Sequence, residues 1–435
     1  MLKIAPYLVA TILTGPVLAG IFGALVPSFG FFPALGHDPF GLDAWRALLA
    51  WPGIAGSVFL SLASGLVTVA VALVLALLFL AVFFETRAFT WLRQTIAPLL
   101  AVPHAAAAFA LAFLIAPSGF LARLLSPWAT GWQRPPDLLI VQDEWGLSLS
   151  LGYGRISAWF KSVVPALYPL LRLPLYAVIA YSSANIDVAL ILGPVAPPPL
   201  AVQVLRWSND PELDFRMIAA AGAILQFAVT ALAIAIWALM EFCVARMARG
   251  WLVTGRRRSG DAGLALLGRV TFPALILASA LGIAALGINA FARVWRFPDA
   301  LPGRWTLAHW QSVGETAAGP VFATLWIALL TTALSLVLVI AVLENERRKG
   351  ERSGRLLELL IYVPLLVPQI AFIFGLVLLA EIAGAPPGGG LVAAGHVIFV
   401  LPYVYLSLSE AYRRQDPAWT KIARTLGQSA AGAFW

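Results

Sequence analysis

Long apolar runs separated by short polar loops dominate the chain. Nine runs are long enough to cross a bilayer: 5–28, 54–84, 96–117, 166–193, 216–243, 264–290, 317–343, 357–382 and 389–409. A spanning helix needs about 20 apolar residues, because each adds about 1.5 Å across about 30 Å of hydrocarbon. Lipid offers no partner to a free backbone N–H or C=O, so each run is expected to be helical. The first run follows only Lys3 and lacks a small-residue cleavage pattern, so it reads as a retained helix and not a removed signal peptide.

The polar positions set an orientation. Arg246, Arg249, Arg256, Arg257 and Arg258 fall in one inter-run stretch, and Arg347, Arg348, Lys349, Arg352 and Arg355 in a second. Arg413, Arg414, Lys421 and Arg424 fall in the tail. Short loops rich in Lys and Arg stay on the cytoplasmic side. Two runs separate each of these stretches from the next, so their placements agree. Loop 85–95, with Arg87 and Arg93, also reads as cytoplasmic, yet three runs separate it from Arg246. The odd number points to a missing crossing between residues 118 and 165.

Composition narrows the class. Of 435 residues, 61% are hydrophobic and 11% charged, against about 25% charged in ordinary soluble domains. The mean hydropathy is +0.88. A soluble globule, a disordered chain and a collagen-like fibre are excluded, leaving a polytopic membrane protein. Cys243 is the one cysteine, which excludes a disulfide framework and a Cys-rich metal site. His37, His104, His309 and His396 are too scattered for a zinc site. The net charge of +8 sits in the loops that orient the membrane spans, so no nucleic-acid partner is expected. Sixteen tryptophans, among them Trp45, Trp51, Trp128, Trp132, Trp305 and Trp310, flank runs as an interfacial belt would.

The chain repeats itself at an interval of about 264 residues. Gly56-Ser-Val-Phe59, with Leu62, Leu66, Thr68, Ala70, Leu73 and Leu75, matches Gly319-Pro-Val-Phe322, with Leu325, Leu329, Thr331, Ala333, Leu336 and Leu338. Pro103-His104, with Phe109, Leu111, Leu114 and Gly119, matches Pro368-Gln369, with Phe374, Leu376, Leu379 and Gly384. Leu151-Gly152 with Ala158-Trp-Phe160 matches Leu426-Gly427 with Ala433-Phe-Trp435. Three matches in one order read as a duplication. The expected organisation is a first half, 1–245, an Arg-rich cytoplasmic linker, 246–263, and a second half, 264–435.

The polar tail carries the most specific pattern, Lys421-Ile-Ala-Arg-Thr-Leu-Gly427. It resembles the start of the cytoplasmic loop E-A-A-x3-G-x9-I-x-L-P of the permease subunits of ATP-binding-cassette importers, with Lys421 in place of Glu, Ile422 in place of the first Ala, and Ala423 and Gly427 at the family positions. In that family the loop forms a short helix that docks in the ATPase subunit, and the glycine lets the chain turn at positive φ. Around Gly152 the first half carries a counterpart, with Val164-Pro165 where the family proline falls, although Gly146, Leu147 and Ser148 replace E-A-A. The run Asp187-Val-Ala-Leu-Ile-Leu-Gly-Pro194, then Pro197-Pro-Pro199 and Arg206-Trp-Ser-Asn-Asp-Pro211, is similar to fused two-half permeases near the thiamine and ferric-iron importers.

The resemblance implies an all-α polytopic bundle of two repeated halves in the bacterial inner membrane. It implies ATPase subunits on the cytoplasmic side, docked at Gly152, Lys421, Ala423 and Gly427, and a solute-binding protein outside. The family has six spans per half. Here nothing between Gly119 and Gly152 spans, an internal loss is inferred near Glu144–Ser150, and the second half stops at Trp435 inside its coupling loop. A truncated remnant without transport is therefore an open alternative, as is an ion-coupled secondary transporter. A membrane-embedded enzyme lacks the cluster of His, Asp or Glu it would need.

No G-x4-G-K-[ST] loop is present, so ATP hydrolysis is assigned to separate subunits and no cofactor is expected. Gly255–Gly260 is better read as a charged linker than as a phosphate cradle. Asp187 and Asn185 are pathway candidates, since a carboxylate inside the bilayer costs about 3 kcal/mol; Asp187 at the outer interface would cost little. Pro103-His104 and Pro368-Gln369 are candidate gate kinks, because proline frees a backbone carbonyl. Arg172 reads as a snorkelling cation and His396 as a packed polar residue.

Overall fold

The computed structural model describes residues 2–33, 36, 40–83, 86–87, 89, 104–115, 119–125, 164–253, 262–350, 354–385, 388–415, 417–429 and 432. Pro103, Gly152, Trp128, Trp132, Gly146–Ser148 and the inferred loss near Glu144–Ser150 lie outside them, as do residues 254–261 of the linker. Missing-crossing and third-repeat assignments also rest on residues outside this set.

The described chain is helical almost throughout. Its helices are α1 (Ala5–Ser28), α2 (Asp43–Ala50), α3 (Ile54–Phe83), α4 (His104–Ile115), α5 (Phe120–Leu125), α6 (Val164–Ser183), α7 (Asp187–Leu192), α8 (Leu200–Ser208), α9 (Phe215–Val253), α10 (Ala262–Phe291), α11 (Ala308–Lys349), α12 (Arg355–Leu366), α13 (Gln369–Ile382), α14 (Gly389–Arg413) and α15 (Pro417–Thr425). A two-stranded antiparallel hairpin, β1 (Ala292–Val294) with β2 (Arg304–Trp305), joins α10 to α11. Among the described residues, six helices are long and apolar enough to span: Leu2–Ser28, Ile54–Phe83, Phe215–Ala248, Gly263–Phe291, Ala308–Lys349 and Gly389–Arg413. Their apolar side chains largely face outward; Leu232, Leu239, Phe242, Leu277 and Leu329 are exposed. In water such a surface would collapse or aggregate, whereas lipid is its natural solvent. This is an all-α polytopic membrane protein.

Two expected spans are broken. The run 166–193 forms α6 and then α7, separated at Ala184–Ile186. Short polar side chains near the break bond to the backbone and compete with the helix: Ser182 and Ser183 donate to Val178 O and Ala180 O, and Asn185 Oδ1 accepts from the Val188 N–H at 2.7 Å. The run 357–382 is α12 and α13, sharply bent at Val367-Pro368. Proline has no N–H to give, and the residue before it is pushed out of the helical region.

Two expected loops are helical instead. α9 continues through Arg246 and Arg249 to Val253, and α11 through Arg347, Arg348 and Lys349. Glu344, Asn345 and Glu346 are buried there, where a solvated loop was expected.

The chain packs as two compact units. One comprises Met1–Ala19, Gly319–Leu365 and Ala380–Trp435; the other comprises Gly20–Ala318 and Leu366–Leu379. The first is built on a cluster of Val9, Leu13, Val339, Val342, Leu343, Ile361, Leu401 and Tyr405. The second has its largest cluster around Leu48, Ala184, Leu200, Trp207, Ala219–Ala221, Ile370 and Phe374. Within this second unit α1 crosses α13 through glycines: a Cβ on Gly20 would strike the Phe372 carbonyl, and one on Gly23 the Gly375 carbonyl. Small residues permit such backbone approach in lipid, where packing and not water drives helices together. Trp51 packs edge-on against Trp207 at 5.3 Å, so it belongs to this core and not to a lipid belt. Trp305 and Trp310 are exposed.

Candidate functional site

Four regions carry the polar side chains that bear on function, two of them singled out by the sequence. The first is α15, in the unit built on Val9 and Leu13. Its nine residues end at Thr425, and Gly427, two residues on, has a φ of +85°. The Gln428 N–H donates to Ala423 O at 3.1 Å and the Gly427 N–H to Arg424 O at 3.1 Å. This pair of bonds is a Schellman cap, which requires a left-handed residue at the glycine. Any other side chain there costs about 1–2 kcal/mol. Ile422 and Leu426, four residues apart and so on one face, are 51% and 77% exposed. The end of α15 and the residue after it thus present an uncovered apolar pair in a stretch that also carries Lys421 and Arg424. Lys421 lies in this helix, and Ala423 is half-buried.

The second region surrounds the break between α6 and α7, in the other unit. Asn185 caps α7 through Val188, which satisfies one of the free amides of a helix start. Asp187 is exposed in the first turn of α7, where a negative charge suits the helix dipole. α4, which begins at His104, packs against α7. Ala184, beside Asn185, and Ile370, beside Gln369, share one apolar cluster. Pro368 is buried and Gln369 exposed at the start of α13. The described candidates His104, Asn185, Asp187, Pro368 and Gln369 therefore all fall within one compact unit.

Next to that break lies a buried polar network. Ser183 Oγ and Thr230 Oγ1 are 2.9 Å apart, and Gln226 Nε2 donates to Ser183 O at 3.1 Å and to Thr230 Oγ1 at 3.3 Å. Ser64 Oγ donates to Ser182 O at 3.1 Å, and Ser61 Oγ accepts the Leu200 N–H at 3.0 Å. These bonds fix the broken helix to α3 and α9, and α8 to α3.

The third and fourth regions are charged hubs that sequence reading missed. In one unit, Glu241 of α9 accepts from Tyr168 OH at 2.7 Å and Tyr176 OH at 3.2 Å, and Arg172 Nε lies 2.9 Å from its Oε2. Trp237 Nε1 donates to Tyr168 OH at 3.0 Å. Arg172, read as a snorkelling cation, is thus an ion-pair partner. In the other unit, Glu344 of α11 accepts from Tyr412 OH at 2.7 Å and pairs with Arg347 at 2.8 Å and Arg348 at 2.7 Å. Beside it Glu346 holds Arg413, whose Nε and Nη2 donate to Oε2 at 3.2 and 3.1 Å. Arg413 also donates to Tyr405 OH at 2.9 Å and lies 3.7 Å from Glu358. A signal was present: Tyr168, Arg172 and Tyr176 recur every four residues, as do Trp237 and Glu241, which places each set on one helix face.

His396 is exposed, with Nδ1 2.8 Å from Val392 O of its own helix, and is not the packed residue expected. Among the described residues, no group of three His, Cys, Asp or Glu is placed to hold a metal ion.

The fold defines the class first: a multi-pass, all-α membrane protein with polar helical segments beyond its spans. Comparison with known proteins then narrows it. The chain is 26% identical over 453 residues to the inner membrane ABC transporter permease protein YnjC of Escherichia coli (strain K12), a match covering 96% of this chain and 80% of that protein. It is 28% identical over 141 residues to the probable ABC transporter permease protein y4fN of Sinorhizobium fredii (strain NBRC 101917 / NGR234), covering 30% of this chain and 25% of that one. No family model and no solved structure matches.

Proposed function

We propose that the chain is the transmembrane permease subunit of an ATP-binding-cassette importer in a bacterial inner membrane. The observation that carries this reading is the similarity to a named inner membrane permease along 96% of the chain. The geometry of α15 supports it. A short amphipathic helix, closed by a glycine at positive φ and showing Ile422 and Leu426 to its surroundings, suits insertion into a cleft of a separate protein. On this reading ATPase subunits bind Lys421, Ala423, Gly427 and the Gly152 segment, and a binding protein outside delivers a solute. The thiamine and ferric-iron permeases supply the analogy for a fused chain of two halves, 1–245 and 264–435.

Transport is then a population shift between two states for which the ATPase has different affinity. The kinks at Pro103-His104 and Pro368-Gln369 and the polar pair Asn185 and Asp187 are the proposed gate and pathway. The test is affinity purification of the tagged chain from its native membranes in mild detergent. Wild type is expected to retain an ATP-binding-cassette ATPase, and Ile422→Asp with Leu426→Asp to lose it while staying folded and monodisperse. Retention by the double variant would remove α15 from the interface. A folded wild type carrying no ATPase, or one whose transport follows an ion gradient and ignores ATP, would overturn the reading.

A further inference from the structure

We infer that Glu344 and Glu346 are positioning residues that latch the helix leading into α15 onto the spanning helix α11, so that force on α15 is delivered to α11. The inference rests on the reading of α15 as a docking helix for its purpose, though not for its geometry.

The two carboxylates are buried, with side chains 5% and 7% exposed. A buried carboxylate is costly unless it is paired and hydrogen-bonded. Arg347 and Arg348 neutralise Glu344 from its own helix at i+3 and i+4. Its remaining partner, Tyr412 OH, comes from α14. Glu346 is held by Arg413, the last residue of α14, in a two-nitrogen contact. Paired N–H donors of a planar guanidinium fix direction as well as distance, and Tyr405 OH braces the same guanidinium. Only Arg414, Gln415 and Asp416 separate this contact from α15. α14 is therefore tied to α11 through its last two residues, immediately ahead of the exposed helix.

The other unit repeats the chemistry on different elements. Glu241, 11% exposed, gathers Tyr168, Arg172 and Tyr176 of α6, the first described helix after the Gly152 match. One carboxylate hub thus lies just before the Gly427 turn in sequence and another follows the Gly152 match. The same pairing of a carboxylate with tyrosine and arginine thus recurs in both units.

The experiment uses the full chain with Cys243→Ser and spin labels on cysteines introduced at Val337 of α11 and Ile422 of α15, both exposed. The distance distribution is read on the chain alone, so its outcome is independent of whether an ATPase binds. The latched chain should give one narrow population. Arg413→Glu should lose it to a broad, longer one, and Glu346→Arg with Arg413→Glu should restore it. Tyr412→Phe, which removes one hydroxyl and leaves the ion pairs of Glu344 and Glu346 in place, should broaden it only slightly. An unchanged narrow population in Arg413→Glu overturns the inference. So does a failure of the charge swap to restore a chain that circular dichroism shows to be folded. Absence of a bound ATPase in the wild-type purification would instead defeat the functional reading and leave the latch standing.

Discussion

α3 and α11 share a sequence pattern and meet different surroundings. In the register that pairs Gly56 with Gly319, the stripe Ser57, Ser61, Gly65 and Val69 of α3 corresponds to Pro320, Thr324, Ala328 and Thr332 of α11. The α3 stripe is buried: Ser61 and Val69 are 0% exposed, and α6, α8 and α9 pack on that helix. All four α11 positions are exposed, and Phe322, Leu325 and Leu329 beside them are 71%, 58% and 67% exposed. α11 is buried at Thr331 and Ser335, on another side of the helix, and more fully from Leu338 onward, toward its charged hub. The pattern prescribes a helix that lipid tolerates on any face. Which face is covered depends on neighbours, and for α3 those follow in sequence beyond residue 163. The same small-residue stripe is a packing seam in one place and an open surface in the other.

That contrast is sharpest at the glycine. A Cβ on Gly65 would sit 3.0 Å from Ser183 Cβ and 3.3 Å from Ile179 O. Gly65→Leu is expected to lose about 1–3 kcal/mol to overpacking, visible as a lower unfolding midpoint in detergent. Ala328→Leu at the matched position should stay within about 0.5 kcal/mol of wild type. Equal losses at the two positions would break the comparison. A smaller effect is expected at the hydroxyl. Ser61 Oγ accepts the buried Leu200 N–H, so Ser61→Ala leaves an amide unsatisfied at about 1–2 kcal/mol. Among the described residues, Thr324 bonds to Pro320 O of its own helix, and Thr324→Ala should be nearly silent in the same assay.

The apolar runs revealed most of the spans, because about 20 apolar residues have few stable forms other than a helix in lipid. The sequence was weaker where chemistry interrupts a run. Val367-Pro368 and the Ser182–Asn185 stretch each divide a run that hydropathy reads as one, since hydropathy weighs polarity and ignores backbone donors. Gly427 was legible, because a left-handed turn after a polar helix needs glycine. The hubs were not. Arg172, Glu241, Glu344 and Arg413 read singly as loop or interface charges, and their pairing spans intervals of 65 to 73 residues. No local pattern encodes which distant partner a charge will meet. Asp187 shows the converse: it stands out in an apolar run, yet the structure places it exposed at a helix start.

The central claim is that α15 inserts into an ATPase partner, and site-specific photocrosslinking in native membranes tests it most directly. A photoreactive residue at Leu426, 77% exposed just after α15, should form an adduct containing an ATP-binding-cassette ATPase, identified by mass spectrometry. The same residue at Val337, 65% exposed on the spanning helix α11, should not. An ATPase adduct at Leu426 alone is the predicted result. No such adduct at Leu426, or equal yields at both positions, would contradict the account.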